Sequence, residues 1–314
     1  MNPDVAVLEA RPLVVFATYA EKPDLTPDDA LLLPAFERLG VDTRAVPWDD
    51  PRIDWSACDA VLVRSTWDYH HKLPRFLEWT ARLEYLGIPL VNPAPLIRWN
   101  ARKDYLRELE GSGVPVVPTG WVGQGDRRSL RALLEEAGWD QAVVKPVVSA
   151  SAHETWRTSL GSSMSDEARF RRLAEAGDVM IQPFLAEIER EGEWSLMFLA
   201  DRFGHAVVKR PKPGDFRVQR QFGGSREVAD PDARLLQAAR AVLDAAPGRS
   251  VYARVDGCVI DGRFVLMELE LIEPELFLGS SLEAAGTLAK EVLCRLAWGG
   301  GSAPHTGAAG RPEG

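Results

Sequence analysis

Between Val251 and Phe277 the chain runs VYARVDGCVIDGRFVLMELELIEPELF. Strand-forming residues recur through Val251–Val255 and Phe264–Leu271, and the Asp261-Gly262 dipeptide between them is a hairpin signal, so two antiparallel strands are predicted. Residues two apart on a strand share a face. Arg254 then lies with Asp256 on one strand and Glu268 with Glu270 on its neighbour, in a segment otherwise apolar enough to be core. Three carboxylates converging from a buried sheet repel one another and need neutralising partners. A hard divalent cation with oxygen ligands meets that need, commonly Mg2+ carrying a nucleotide's phosphates. The alternative is an exposed strand face with scattered acids.

Upstream, the hydrophobic strand Ala142–Pro146 holds Lys145 against a proline, and the small-residue run Val147–His153 follows. An ammonium at a strand end, together with the backbone amides of such a loop, can hold a phosphate. His153 reads as a loop residue near that anion, because no second histidine lies at metal-ligand spacing. Lys103 falls on a helix predicted over Asn100–Leu109, where a lysine is ordinarily a surface residue. Val179–Leu185 reads as a strand entering a hinge at Pro183, whose neighbouring backbone groups can bond a purine edge. Glu187 and Glu193 come next, each able to accept from ribose hydroxyls. A hairpin is predicted from Trp194–Ala200 and His205–Val208 around Asp201–Gly204, followed by a basic loop from Lys209 that includes Arg217.

The first hundred residues alternate strand and helix patterns. Strands are predicted at Leu13–Thr18, Val41–Val46, Ala60–Val63 and Leu90-Val91, with one helix opening at Thr26-Pro27-Asp28-Asp29 and another over Leu73–Gly87. This is an α/β unit with a parallel sheet, in which ligands bind beyond the carboxyl ends of the strands. Arg64, Trp67, Asp68 and Tyr69 lie just past Val63 and form a candidate substrate rim, or else a loop in which Arg64 pairs with Asp68. Further helices are predicted at Asp232–Ala245 and Leu282–Trp298.

At 314 residues and a net charge of −9, the chain accommodates more than one domain, and its acidity argues against general binding to nucleic acid or anionic membranes. Three scattered cysteines make neither a disulfide framework nor a thiolate metal site. The apolar run Val5–Leu8 is too short for a signal or membrane segment, so a cytoplasmic protein acting on small molecules is expected. The partition is residues 11–97 as an N-terminal α/β domain, 98–182 and 183–298 as two further subdomains, and 299–314 as a disordered tail without apolar content.

Lys103, the Lys145 strand with its loop, Gln182-Pro183-Phe184, Asp215-Phe216-Arg217 and Asp256…Glu268-Leu269-Glu270, in that order, resemble the ATP-grasp superfamily in its glutathione synthetase-like branch. The resemblance spans residues 13–297. It implies a mixed α/β (α+β) fold, with an N-terminal parallel-sheet domain and two subdomains that clasp ATP. It further implies that Lys103 and Lys145 hold phosphates and that Ser149–Trp156, with Ser149 and Ser151, closes over them. Gln182, Pro183, Phe184 and Leu185 would cradle adenine. Glu193 would hold the ribose, with Glu187 as competitor. Asp256, Glu268 and Glu270 would hold one or two Mg2+, with Mn2+ as a substitute ion. Glu270 stands where the family commonly has asparagine, which keeps an oxygen ligand and adds a charge.

The segments RSTWDY, NPAPLIRWNARKDYL, SASAHETW, KRPKPGDFRVQ and MELELIEPELFL are similar to the small ATP-grasp proteins that include a cycloserine-forming cyclo-ligase. This implies a carbon–nitrogen ligase in which Lys145, Arg217 and Arg254 stabilise transferring charge. A substrate carboxylate would be activated as an acylphosphate, with ring closure of O-ureido-D-serine as the specific expectation. Other amino acid or peptide ligation, phosphorylation of a non-carboxylate oxygen, and a non-catalytic nucleotide-binding module are the alternatives. Arg64, Lys209 and Arg217 would face the substrate carboxylate, and Asp68 and Glu273 its ammonium, with Trp67 and Tyr69 covering it. Homodimers are common in the superfamily.

Overall fold

The computed structural model describes residues 11–212, 214–215, 217–218 and 222–299. The Val5–Leu8 run, Phe216 and residues 300–314 of the expected tail lie outside them.

The first sheet has the order β2-β1-β3-β4 and is parallel throughout, built from β1 (Leu13–Thr18), β2 (Asp42–Pro47), β3 (Ala60–Val63) and β4 (Leu90–Val91). β1 and β3 are buried almost end to end, which their unbroken apolar sequence requires of strands covered on both faces. The helix expected after Thr26 divides into a 3₁₀ turn, Asp29–Leu32, and α1, Leu33–Arg38. Thr26 Oγ1 accepts the Asp29 N–H at 3.0 Å, while Pro34, lacking an N–H, opens the new helix. α2 covers Leu73–Tyr85.

The helix predicted over Asn100–Leu109 also divides. α3 is Ala94–Asn100 and α4 is Tyr105–Gly111, so Lys103 sits on the turn between them. The Asn100 side chain bonds across to the third sheet, donating to Leu269 O at 2.8 Å and accepting from Leu271 N–H at 2.9 Å. The second sheet, order β5-β8-β6-β7, is antiparallel: β5 (Gly120–Val122), β6 (Gln141–Pro146), β7 (Trp156–Ser159) and β8 (Val179–Pro183). It packs its own core against α5 (Leu130–Ala137) and α6 (Ser163–Ala176), around Leu134, Trp156 and Phe170.

After the short helix α7 (Ala186–Arg190), the third sheet follows: β9 (Glu193–Leu199), β10 (Arg202–Arg210), β11 (Ser225–Val228), β12 (Tyr252–Ile260) and β13 (Arg263–Glu270), with α8 (Ala233–Asp244) between β11 and β12. Its order is β11-β10-β9-β12-β13, antiparallel. The β9–β10 turn falls on Ala200-Asp201, at φ 53° and 59°, earlier than the Asp201–Gly204 turn expected; the next glycine, Gly204, instead marks a bulge in β10. The β12–β13 hairpin turns at Asp261-Gly262 with φ 50° and 74°, as that dipeptide demands. α9 (Ala284–Gly299) packs Leu288 and Val292 into a core shared by Phe16 of the first sheet and Leu199 and Tyr252 of the third. No helix among the described residues is long and apolar enough to cross a membrane.

Candidate active site

The third sheet's inner strands set the site. β12 and β13 pair Asp256 with Glu268 and Arg254 with Glu270, and a bulge follows at Gly257. All four side chains line a cleft of about 1160 Å³ between the second and third sheets, rimmed by Trp67, Asp68 and Tyr69 of the first unit. Lys103, Lys145, Gln182–Leu185, Glu193, Lys209 and Glu273 also line it.

The acids are largely neutralised by the chain itself. Arg254 is 2.9 Å from Asp256 and also pairs with Glu270. Ser195 donates its hydroxyl to Asp256. Lys103 Nζ is 2.5 Å from Glu268, donates to Ser149 O at 2.9 Å, and is buried rather than exposed on a helix face. Lys209 lies on β10 instead of a basic loop and is 2.5 Å from Glu193 and 3.7 Å from Asp256. Lys145 differs: among the described residues no carboxylate lies within ion-pairing distance of it.

Titration behaviour follows these pairings. Burial raises Asp256, but Arg254 and Lys209 overcome it and hold the carboxyl below its ordinary value. Burial likewise opposes Glu268, and Lys103 and Lys145 bring it down. Glu270 is pushed up to about 7 by burial, with repulsion from Asp256 and Glu268 working against the help of Arg254. Glu273 rises to about 8 through burial and the nearby Glu270. Burial lowers Lys145, and Lys103 adds to the effect.

Other expected residues take particular places. Arg64 is buried away from the cleft, 2.7 Å from Asp29, donating to Pro274 O at 2.7 Å and lying over the Tyr252 ring at 5.3 Å. Its expected role toward substrate, and the alternative pairing with Asp68, both give way to a clamp between the N-terminal sheet and the segment after β13. Asp68 instead accepts from Lys72 Nζ at 2.7 Å and Trp48 Nε1 at 2.8 Å. Glu187 pairs with Arg190 at 2.7 Å and does not line the cleft, whereas Glu193 does. At the linker, Gln182 Nε2 donates to Thr119 Oγ1 at 2.9 Å, and the Phe184 N–H is already taken by Gln141 O at 3.0 Å. Ser149 Oγ donates to Pro146 O, Ser151 lines the cleft with φ 52°, and Arg217 stays close to Asp215 at 2.8 Å.

Two features escaped the sequence. Ser195 reaches Asp256 only because β9 and β12 pair those two residues, a register that no local pattern reveals. His70 and His71, beside the recognised rim segment, line the cleft together with His153, so the absence of a second histidine at sequence spacing does not hold in space. Burial, then the two neighbouring imidazoles, lowers His70 to about 4.

Comparison with known proteins agrees with this geometry. A family model, "D-cycloserine synthetase DcsG, N-terminal domain", matches residues 14–92. The cycloserine biosynthesis protein DcsG of Streptomyces lavendulae is 32% identical over 280 residues, 84% of this chain and 92% of that protein. The crystal structure of D-cycloserine synthetase DcsG superposes with a TM-score of 0.80 at 29% identity, over 90% of this chain and 99% of the other. D-alanine–D-alanine ligase from Bacillus anthracis, complexed with ATP, superposes with a TM-score of 0.67 at 16% identity, over 92% and 98%. The fold is that of the ATP-grasp ligases. Within that class, the chain belongs to the family of the cycloserine synthetase DcsG, as an ATP-dependent carbon–nitrogen ligase.

Proposed function

We propose that the chain activates the carboxylate of an amino acid derivative with ATP and closes a carbon–nitrogen bond on it, with O-ureido-D-serine as substrate and cycloserine as product. The observation that carries this reading is a cleft that sets an ammonium outside any close ion pair beside a crowded group of carboxyls. Lys145 is a partly buried cation with no carboxylate in ion-pairing distance among the described residues, and Glu270 and Glu273 are carboxyls lifted to about 7 and about 8. Nucleotide phosphates relieve the first, and cations relieve the second. The 32% identical relative is a cycloserine biosynthesis protein, and this supplies the product class.

Asp256, Glu268 and Glu270 offer carboxylate oxygens, the donor type Mg2+ takes, and the crowding that lifts Glu270 is what an added cation would reduce, so the residues fit that ion. Bound there, Mg2+ would neutralise charge on the phosphates. Phosphoryl transfer needs positioning and charge neutralisation rather than a protein nucleophile. Lys103 and Lys145 hold the phosphates, Lys103 fixed by Glu268 and the Ser149 carbonyl. Gln182–Leu185 and Glu193 receive adenine and ribose. The substrate carboxylate oxygen attacks the γ-phosphorus as the bond to ADP breaks, with Arg254 and Arg217 placed to stabilise the transferring charge. The oxygen-bound ureido nitrogen then attacks the acyl carbon, losing its proton as phosphate leaves, and water cleaves the carbamoyl group from that nitrogen as carbon dioxide and ammonia. Glu273 and Asp68 serve the ammonium side, and Trp67 and Tyr69 exclude water from the hydrolysable acylphosphate.

Incubation with O-ureido-D-serine, ATP and Mg2+ is expected to yield ADP, phosphate, cycloserine, carbon dioxide and ammonia, and hydroxylamine is expected to trap the acylphosphate as a hydroxamate. AMP and pyrophosphate would exclude the acylphosphate route. Vigorous ADP release with another carboxylate, and none with O-ureido-D-serine, would exclude the ring closure and leave the ligase.

A further inference from the structure

We propose that His70, His71 and His153 form a site for one borderline transition-metal ion, of the Zn2+ type, that ties the loop after Lys145 to the rim of the N-terminal sheet. The three residues come from elements far apart in the chain. His70 and His71 end the short 3₁₀ turn Tyr69–His71, while His153 sits in the loop between β6 and β7. One ring nitrogen from each can be chosen so that all lie within 4.8 Å of one another. Ring centroids are 3.8 Å apart for His70–His71, 4.7 Å for His71–His153 and 5.1 Å for His70–His153.

A second observation points to a ligand. Among the described residues neither buried ring nitrogen of His70 makes a hydrogen bond of good geometry, although the Trp67 backbone is close enough to influence the ring. Buried polar atoms are ordinarily satisfied, so a pair left open on one imidazole calls for an explanation. A neutral imidazole carries one N–H donor, which the nearby Trp67 backbone can serve, and one acceptor nitrogen, which needs a donor or a metal. Three neutral imidazoles suit Zn2+, Co2+, Ni2+ or Cu2+, whereas Mg2+ takes oxygen donors, so this site and the carboxylate array select different ions. On a tetrahedral ion with bonds of about 2.0–2.1 Å, nitrogens stand about 3.4 Å apart, which side-chain rotation at these rings can reach. Three protein ligands leave a fourth position for water or a substrate atom, and all three residues line the cleft.

The backbone supports the same assignment. Ser151, Ala152 and Glu154 all have left-handed φ, 52°, 57° and 48°, so the loop presents His153 in a defined conformation, and the His153 N–H closes a turn onto Ala150 O at 3.0 Å. Lys103 contributes an opposing positive charge nearby, reduced by its pairing with Glu268.

The test uses the full chain without a polyhistidine tag, with excess Mg2+ and ADP present so that the acidic site is already engaged. Co2+ is titrated while visible absorption is followed, and Zn2+ is measured by competition with a chromogenic chelator. One equivalent per chain is expected, with the intense absorption of four-coordinate Co2+. His71→Ala and His153→Ala are each expected to weaken Zn2+ binding at least tenfold, with His153→Gln behaving alike and metal-free melting curves showing all three variants folded. Zn2+ is further expected to raise the melting temperature of the parent chain and not of the variants. Unchanged affinity in either alanine variant, a weak octahedral Co2+ spectrum, or no stoichiometric binding would overturn the proposal. Since no readout depends on turnover, its failure is distinguishable from failure of the ligase reading.

Discussion

Lys145 and Glu268 show how much a charged residue's role depends on its partner. Lys145→Ala is expected to cut ATP-dependent turnover by about 10²–10³-fold, the usual loss of one charge-stabilising donor. Because burial opposes its charge and, among the described residues, no carboxylate lies within ion-pairing distance of it, the metal-free protein should melt at the same temperature or higher, as calorimetry would show. Glu268 behaves in the opposite sense. Repulsion among three acids would predict that Glu268→Gln stabilises the metal-free protein, but Glu268 is 2.5 Å from the buried Lys103, and losing it strands that lysine. A lowered melting temperature is therefore expected. Relief belongs to Glu270 and Glu273, whose folded values of about 7 and about 8 lie above the ordinary carboxyl value of about 4.3. A raised carboxyl contributes stability below its unfolded value and loses it as pH rises through the folded one. Metal-free stability from these two groups should thus decline from about pH 4 to pH 8, and Glu273→Gln should flatten the profile in melts across that range.

At the level of elements, the β12–β13 hairpin carries the most consequence per residue. The bulge after Asp256 lets that residue face Glu268 while Gly257 stands opposite Leu266. A Cβ on Gly257 would lie 2.4 Å from both the Phe264 ring and Val265 O, and backbone is among the atoms that would have to move. Gly257→Ala is expected to destabilise by about 2 kcal/mol or more in urea unfolding, through overpacking at a fixed backbone. It should also reduce turnover, because Asp256 moves with the strand. The turn at Asp261-Gly262 was legible from two letters, since that dipeptide tolerates the left-handed conformations the turn requires. The split of the helix around Lys103 was not. Asn100 ends α3, and its side chain bonds Leu269 and Leu271, residues far along the chain; periodicity carries no information about such a partner.

For the whole molecule, Arg64 joins the first and third sheets. It links Asp29 to the Pro274 carbonyl while lying over Tyr252, whose own hydroxyl donates to Val63 O at 2.9 Å and Ile272 O at 2.7 Å. Arg64→Ala would leave the buried Asp29 with the Thr26 hydroxyl but without its charged partner, for which a loss of about 3–5 kcal/mol is expected. Denaturant melts would show this as a shifted midpoint, whereas a substrate-binding arginine would change KM with little change in the midpoint.

The strand–helix alternation of the N-terminal sheet, the acidic hairpin, the lysine at the end of β6 and the proline linker were all determined by the sequence alone. Each is a local property: alternation, turn chemistry, or a charge set in an apolar run. Only the tertiary structure decided which charges work together. It moved Lys103 from an ordinary surface position to the centre of the cleft and withdrew Arg64 from the rim into the core. It also placed Glu193 rather than Glu187 on the cleft wall and brought His153 to His70 and His71. The reason is physical. The fate of a charge depends on burial and on neighbours within a few ångströms, and here those neighbours are supplied by strand register and sheet packing between residues as far apart as Arg64 and Pro274.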